Sequence, residues 1–164
     1  MIIIKKELIT DIANVACFNM REQAAKLSYI DALYKTIPKE IEIVGIADIS
    51  LFRKIDERIR YKRNYLIPKR IIEAPSKTKA DEFILNYALE KNAFILSNDQ
   101  YREYNFVPED WLEEHRVSFM FIKGKIIFQY PLNDIISKVL GDQEISSLRS
   151  NQEINDEVEE GYLL

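Results

Sequence analysis

Apolar residues recur along this chain at two spacings, and the switches between them lay out the elements. Positions 24, 27, 30, 33, 34 and 37 are apolar. That is the interval of one helix face, and it predicts a helix over Gln23–Ile37 stopped by Pro38. Ala80, Phe83, Ile84, Tyr87 and Ala88 repeat the pattern and predict a helix over Thr78–Lys91. Shorter helices are predicted over Leu51–Arg63, over Pro108–His115 with proline in the first turn, and over Pro131–Leu140, ended by Gly141. Between them stand short runs rich in β-branched residues. Leu8–Val15 reads as a strand interrupted by an acid, and Ile41–Ile46 as a strand ending at Ala47-Asp48. Ala93–Leu96 reads as a buried strand, and Ile67–Ala74 as a short strand or an extended loop. Val117–Ile122 and Lys125–Phe128 meet at Lys123-Gly124, a hairpin signal.

This order, β-α-β-α-(β)-α-β-α-β-β-α, predicts an α/β fold with a mainly parallel sheet, the terminal hairpin adding an antiparallel edge. No repeat or linker divides the body, so one domain is expected over residues 1–141 and an acidic, flexible tail over 142–164. A chain of 164 residues can bury a core without disulfide or metal staples.

Composition narrows the chemistry. Cys17 and His115 are the sole cysteine and histidine, which disfavours zinc fingers, Cys-x-x-Cys redox motifs and disulfide scaffolds. No apolar run approaches the ~18–20 residues of a membrane span. Met1–Lys6, an isoleucine run followed by two lysines, is the reverse of a signal peptide. The chain is therefore expected in the reducing cytoplasm, away from membranes. Its chemistry falls to carboxylates, with a hard cation such as Mg²⁺ or Mn²⁺.

The net charge of −4 argues at first against a polyanionic partner. It is unevenly spread. From Asp142 onward there are seven acids and one base, leaving 22 bases and 20 acids in residues 1–141. Arg53–Arg70 alone holds eight bases (Arg53, Lys54, Arg58, Arg60, Lys62, Arg63, Lys69, Arg70) against Asp56 and Glu57, with Tyr61 and Tyr65 interleaved. Cations neutralise phosphates and aromatics stack on unpaired bases, so this segment is a candidate path for single-stranded RNA. A solvated helix face is the plainer explanation. The tail is a candidate to contact this basic face or a protein partner, or simply a solubilising extension.

Three acids stand where a predicted strand gives out: Asp11, Asp48 and Asp99. A fourth, Asp81, lies in the first turn of the Thr78 helix. Ligands of open α/β sheets bind at the carboxyl ends of the strands. Carboxylates gathered there repel one another and favour a divalent cation, which can activate a water against a phosphodiester. Each acid also has a structural use. Asp81 fits a capping pattern with Thr78, Asp48 a helix cap and Asp99 a turn, whereas Asp11 is poor strand material.

Thr78–Tyr104, TKADEFILNYALEKNAFILSNDQYREY, resembles the NYN branch of the PIN-like nucleases, especially the Zc3h12a/Regnase-type ribonuclease domain. That family carries an acid heading a helix, then a buried strand, then S-N-D-x-[YF]-R-[DE]. Here these are Asp81, the helix to Lys91, Ala93–Leu96 and Ser97-Asn98-Asp99-Gln100-Tyr101-Arg102-Glu103. Asp11-Ile12-Ala13-Asn14-Val15-Ala16 stands in the place of the family's D-G-S-N-V-A, and the likeness spans roughly residues 7–140. The resemblance implies a three-layer, Rossmann-like PIN fold with a C-terminal β-hairpin. It implies a Mg²⁺- or Mn²⁺-dependent endoribonuclease acting on single-stranded RNA and leaving a 3′-hydroxyl and a 5′-phosphate. Asp11, Asp81 and Asp99 match the metal-binding acids and Asn14 the residue that orients the first of them. Asp48 matches a position beside the acidic pocket, and Asn98 a supporting polar group. Tyr101 and Arg102 are candidates for substrate contact.

The chain departs from the family at Ile12-Ala13, which replace Gly-Ser, and at Ala80, where a second acid precedes the helix acid. These departures set a catalytically weak or inactive RNA-binding or assembly module against the enzyme. A homodimer is compatible with either.

Overall fold

The computed structural model describes residues 6–19 and 24–141, so the acidic tail lies outside the described residues. Its centre is a sheet of five parallel strands: β1 (Lys6–Asp11), β2 (Ile41–Ala47), β3 (Ile71–Glu73), β4 (Phe94–Leu96) and β5 (Arg116–Val117). Their spatial order is β3-β2-β1-β4-β5. The chain winds outward from β1 through β2 to β3, then returns to the other flank of β1 for β4. The order therefore reverses between β1 and β4, and a crevice opens at their carboxyl ends.

Alternation along the strands feeds two cores. Leu8, Ile41, Ala47, Ile71, Leu96 and Val117 face one side. There they meet α1 (Ile12–Ala16), α2 (Leu27–Thr36), α3 (Leu51–Lys54), α4 (Arg58–Tyr61) and α7 (Leu132–Leu140). Ile9, Ile46 and Ile95 face the other, against α5 (Ala80–Lys91), α6 (Glu109–His115) and the loop after β4. The result is the expected three-layer α/β arrangement. Among the described residues no helix is long and apolar enough to cross a membrane.

The structure corrects the expected elements in three places. The segment Leu8–Val15 changes from strand to helix at Asp11, whose Oδ1 accepts the Asn14 N–H at 3.1 Å as the cap of α1. The run Val117–Ile122 is divided at Ser118. Its first residue joins the parallel sheet, and β6 (Phe119–Ile122) pairs with β7 (Lys125–Phe128) as a separate two-stranded sheet. The hairpin does not extend the main sheet because its inner face is drawn onto α1 and α2, with Phe121 stacked on Tyr29 at 4.2 Å and Phe18 5.3 Å from Phe121.

The third correction is the basic segment, which is not one helix. Ile55 is extended, and its neighbours pair with Ala25: Ala25 N–H donates to the Lys54 carbonyl and Asp56 N–H to the Ala25 carbonyl. The Asp56 carboxylate then accepts the Leu27 N–H at 2.7 Å, at the start of α2. These long-range bonds outweigh the local helical preference of the segment. The chain restarts as α4 and runs into a π-helical turn over Lys62–Leu66. Tyr61 and Tyr65, expected among the RNA contacts, are instead buried in the core.

Gly45 in β2 shows how closely the first layer is packed. A Cβ there would lie 2.8 Å from the Tyr34 hydroxyl and 3.0 Å from the Ile12 side chain. The Tyr34 hydroxyl is committed to the Arg70 carbonyl at 2.8 Å. Gly45→Ala is expected to destabilise the fold by about 1–3 kcal/mol in urea denaturation; an unchanged midpoint would mean that α1 and α2 are not seated on β2 in this way.

Candidate active site

Asp11 is the last residue of β1 and is 6% exposed. It shares the side of the strand that carries Ile9, so its carboxylate faces the α5 layer. Three neutral donors hold it. Asn14 N–H binds Oδ1, while Ser97 Oγ (3.2 Å) and the Tyr101 hydroxyl (3.0 Å) both donate to Oδ2. Burial raises its pKa to about 6, aided by the negative charge of Asp81 and opposed by the Asn14 N–H and the two hydroxyls.

The loop after β4 is built around this carboxylate. Ser97 is fully buried and its N–H pairs with the Val117 carbonyl, continuing the sheet for one residue. Its hydroxyl donates to Asp11 and accepts the Asp99 N–H at 3.1 Å. Asp99 Oδ1 in turn accepts the Tyr101 N–H at 2.8 Å, a tight Asx turn. Tyr101 sits at φ 50, a left-handed conformation that a bulky residue rarely takes. Bonds at both its N–H and its hydroxyl hold it there.

Asn98 points the other way. Its amide exchanges two hydrogen bonds with the Phe119 backbone, both at 2.9 Å, and its own N–H donates to Asn14 Oδ1 at 2.8 Å. Asn14 and Asn98 thus tie the start of α1, the loop after β4 and the hairpin into one unit. Their side chains are supports within the protein.

Asp81, in the first turn of α5, is half-buried and accepts the Tyr104 hydroxyl at 3.3 Å. Its pKa is raised by burial and then by the charge of Asp99. Asp11 therefore senses Asp81, and Asp81 senses Asp99. Asp48 stands apart from this chain of repulsion. Its carboxylate accepts the Ser50 N–H at 2.7 Å and is held low by that bond, with Lys54 adding its charge. It lies at the carboxyl edge of β2 as a turn residue. Ser97 and Tyr104 carry no role in the sequence reading, although both lie within the quoted motif; only the fold shows what their hydroxyls touch.

The departure at Ile12 does not place a side chain over the Asp11 carboxylate. The Ile12 side chain is fully buried in the first core, against Gly45, on the opposite layer from the carboxylate. Ala80 is likewise a core residue.

The donor set suits a hard divalent cation. A carboxylate offers roughly four lone-pair sites. Three of those on Asp11 are taken, but Asp81 has one bond and Asp99 one among the described residues. Among the described residues no three acidic, His or Cys side chains already form a metal-holding group. Mg²⁺ commonly takes one or two carboxylates and keeps several waters, so it does not require such a cage.

The basic segment begins at Arg53, and Lys54 brings its charge close to Asp48. Arg60 is engaged by Asp31 (2.6 Å) and Glu57 (2.8 Å), Arg58 donates to the Arg53 carbonyl, and Arg70 lies over the Tyr34 and Tyr65 rings. Arg53, Lys54, Lys62 and Arg63 are exposed, as is Arg102 beside Tyr101.

The sequence matches the family model of the Zc3h12a-like ribonuclease NYN domain over residues 5–135. Among solved structures, two of nuclear protein-only RNase P 2 from Arabidopsis thaliana share the fold, with TM-scores of 0.64 and 0.62 and 18% identity. Each alignment covers 77% of this chain and 30% of the other, so the chain spans less than a third of the length of those proteins. No curated protein matches the chain.

Asp11 yields a test of the site's electrostatics. A carboxyl whose pKa rises on folding costs stability where the folded protein holds it ionised. The cost is full above the folded value of about 6 and disappears below the ordinary value of 3.8. That rise corresponds to roughly 3 kcal/mol at neutral pH. In metal-free buffer, Asp11→Asn is expected to be more stable than the natural chain at pH 7, by up to that amount, with the gain fading as the pH falls from 6 to 4. Urea denaturation at the two pH values measures it, and a variant less stable at pH 7 would show the carboxylate to be stabilising.

Proposed function

The chain belongs to the Zc3h12a-like ribonuclease NYN family, and from that premise we propose that it is an endoribonuclease that cleaves single-stranded RNA with water activated by Mg²⁺ or Mn²⁺. The observation that supports this most is the placement of Asp11, Asp81 and Asp99. They lie at the carboxyl edge of a parallel sheet, where its strand order reverses, and each is coupled by charge to the next.

Asp11, Asp81 and Asp99 would hold the cation, which when bound lowers the pKa of a water and offsets charge on the leaving oxygen. The remaining work belongs to the chain's own groups. Ser97 and Tyr101 fix the Asp11 carboxylate in one orientation, so no rearrangement is needed when substrate arrives. Tyr104 does the same for Asp81. Asn14 and Asn98 keep the loop carrying Asp99 at the mouth of β1. Asp48, just past the β2 residue that pairs with Asp11, would stand at the same edge, its carboxylate capping the turn that leads to Lys54.

The exposed bases Arg53, Lys54, Lys62 and Arg63 would take the phosphates of the RNA strand, with Arg58 adding charge from its tethered position. Arg60 belongs to the fold rather than to this path, because two acids already hold it.

Two measurements follow. A labelled single-stranded RNA should be cut in Mn²⁺ or Mg²⁺, spared in EDTA, and spared by Asp99→Asn; equal cleavage by that variant would defeat the enzyme reading. Binding should also separate the bases. Lys62→Ala is expected to lower RNA affinity and reduce the salt slope by about one, whereas Arg60→Ala should lower the unfolding midpoint with the slope unchanged. The reverse pattern would place the RNA elsewhere.

A further inference from the structure

On the far side of Tyr101 and Tyr104 lies a cavity of ≈ 540 Å³. We infer that it is a pocket for one unpaired nucleobase of the RNA, flanking the bond that is cut. This rests on the ribonuclease reading of the neighbouring acids.

Position is the first argument. The Tyr101 hydroxyl donates to Asp11 and the Tyr104 hydroxyl to Asp81, while both residues line the cavity. Two side chains thus form the partition between the acids and this space. A group bound there is one tyrosine away from the acidic centre.

Chemistry is the second. Arg102 and Arg116 line the cavity together with Glu109 and Glu113, so its walls carry no net charge. A phosphate pocket would need an excess of cations. A balanced wall of guanidinium, carboxylate and the Asn105 amide suits a neutral planar ring that carries both donors and acceptors on its edges. Nucleobases have that character, and Val107 and Leu112 add apolar lining beside the two tyrosines. The volume falls in the ~300–1,000 Å³ range of small-molecule pockets.

Preorganisation is the third. Arg116 Nη1 is anchored on the Ser97 carbonyl (3.1 Å) and Ser118 Oγ (2.9 Å), which places its guanidinium in advance. Phe106 is 48% exposed and packs edge-on against Tyr104 with ring centroids 6.0 Å apart. It offers an open aromatic face close by, on which a neighbouring base can stack. A base paired in a duplex cannot enter such a pocket, so the cavity itself would select single strands.

The test uses the full chain in EDTA, where RNA is bound without being cut. A set of short single-stranded RNAs, alike except for one abasic residue at successive positions, is titrated by fluorescence anisotropy. Loss of the base at one position should lower affinity by about tenfold, with small effects elsewhere. Asn105→Trp changes an exposed lining residue and sets an indole into the space a base would take. It should weaken the intact RNA by a similar factor and erase the penalty at that one position, with an unchanged melting temperature. A flat profile, an RNA that does not bind, or unchanged affinity in Asn105→Trp would overturn the pocket. Cleavage in Mn²⁺ is scored separately. A position-dependent profile without cleavage would remove the ribonuclease reading and leave the pocket, whereas cleavage with a flat profile would do the opposite.

Discussion

The site depends on one buried acid that has neutral partners. Asp11 ends the central strand and sits beneath the surface, held by a backbone N–H and two hydroxyls. Three hydrogen bonds offset part of the desolvation penalty, but they supply no positive charge. The nearest charges that act on it belong to another acid. Much of the local architecture follows from keeping that carboxylate in place. Ser97 is buried so that its hydroxyl can serve Asp11 and Asp99 together. Tyr101 accepts an unfavourable backbone conformation so that its hydroxyl reaches the same oxygen.

A carboxylate buried among neutral donors costs the fold stability wherever it is ionised. A cation at the acids would reverse the balance, turning mutual repulsion into shared attraction. The same reasoning gives sense to the division of charge in the chain. Among the described residues Asp11 is the one buried acid, at the sheet edge, while the segment that leaves Asp48 carries several exposed bases. On the proposed function, a polyanion approaching along those bases would meet the acids where bound metal would neutralise them. The net charge of −4 averages over this arrangement and over the acidic tail, and so conceals it.

The sheet and its acidic edge were legible because they depend on local signals. Each parallel strand is a short β-branched or aliphatic run, and a run that stops at Asp11, at Asp48 or at Ser97-Asn98-Asp99 marks a carboxyl end. The helix α5 was legible from its apolar face. What could not be read were the features set by distant partners. Leu51–Arg63 has helical composition throughout, yet it breaks at Ile55 because Ala25 pairs with its neighbours and Asp56 caps α2. Tyr61 and Tyr65 look like stacking residues among bases, yet the bend that follows turns both into the core. Val117–Ile122 reads as one strand, and only the docking of Phe121 on Tyr29 explains its division. Asp11 is poor strand material by residue type, but its place as a helix cap depends on the turn into α1.

The most direct test of the acids' role is a Mn²⁺ titration of isotope-labelled protein followed by NMR. Paramagnetic broadening at substoichiometric Mn²⁺ should appear first at the amides of Ile12–Asn14, Ala80–Glu82 and Asn98–Asp99, and Asp11→Asn should weaken it. Broadening confined to the acidic residues beyond Asp142, or unaltered by that substitution, would contradict a metal centre at the edge of the sheet.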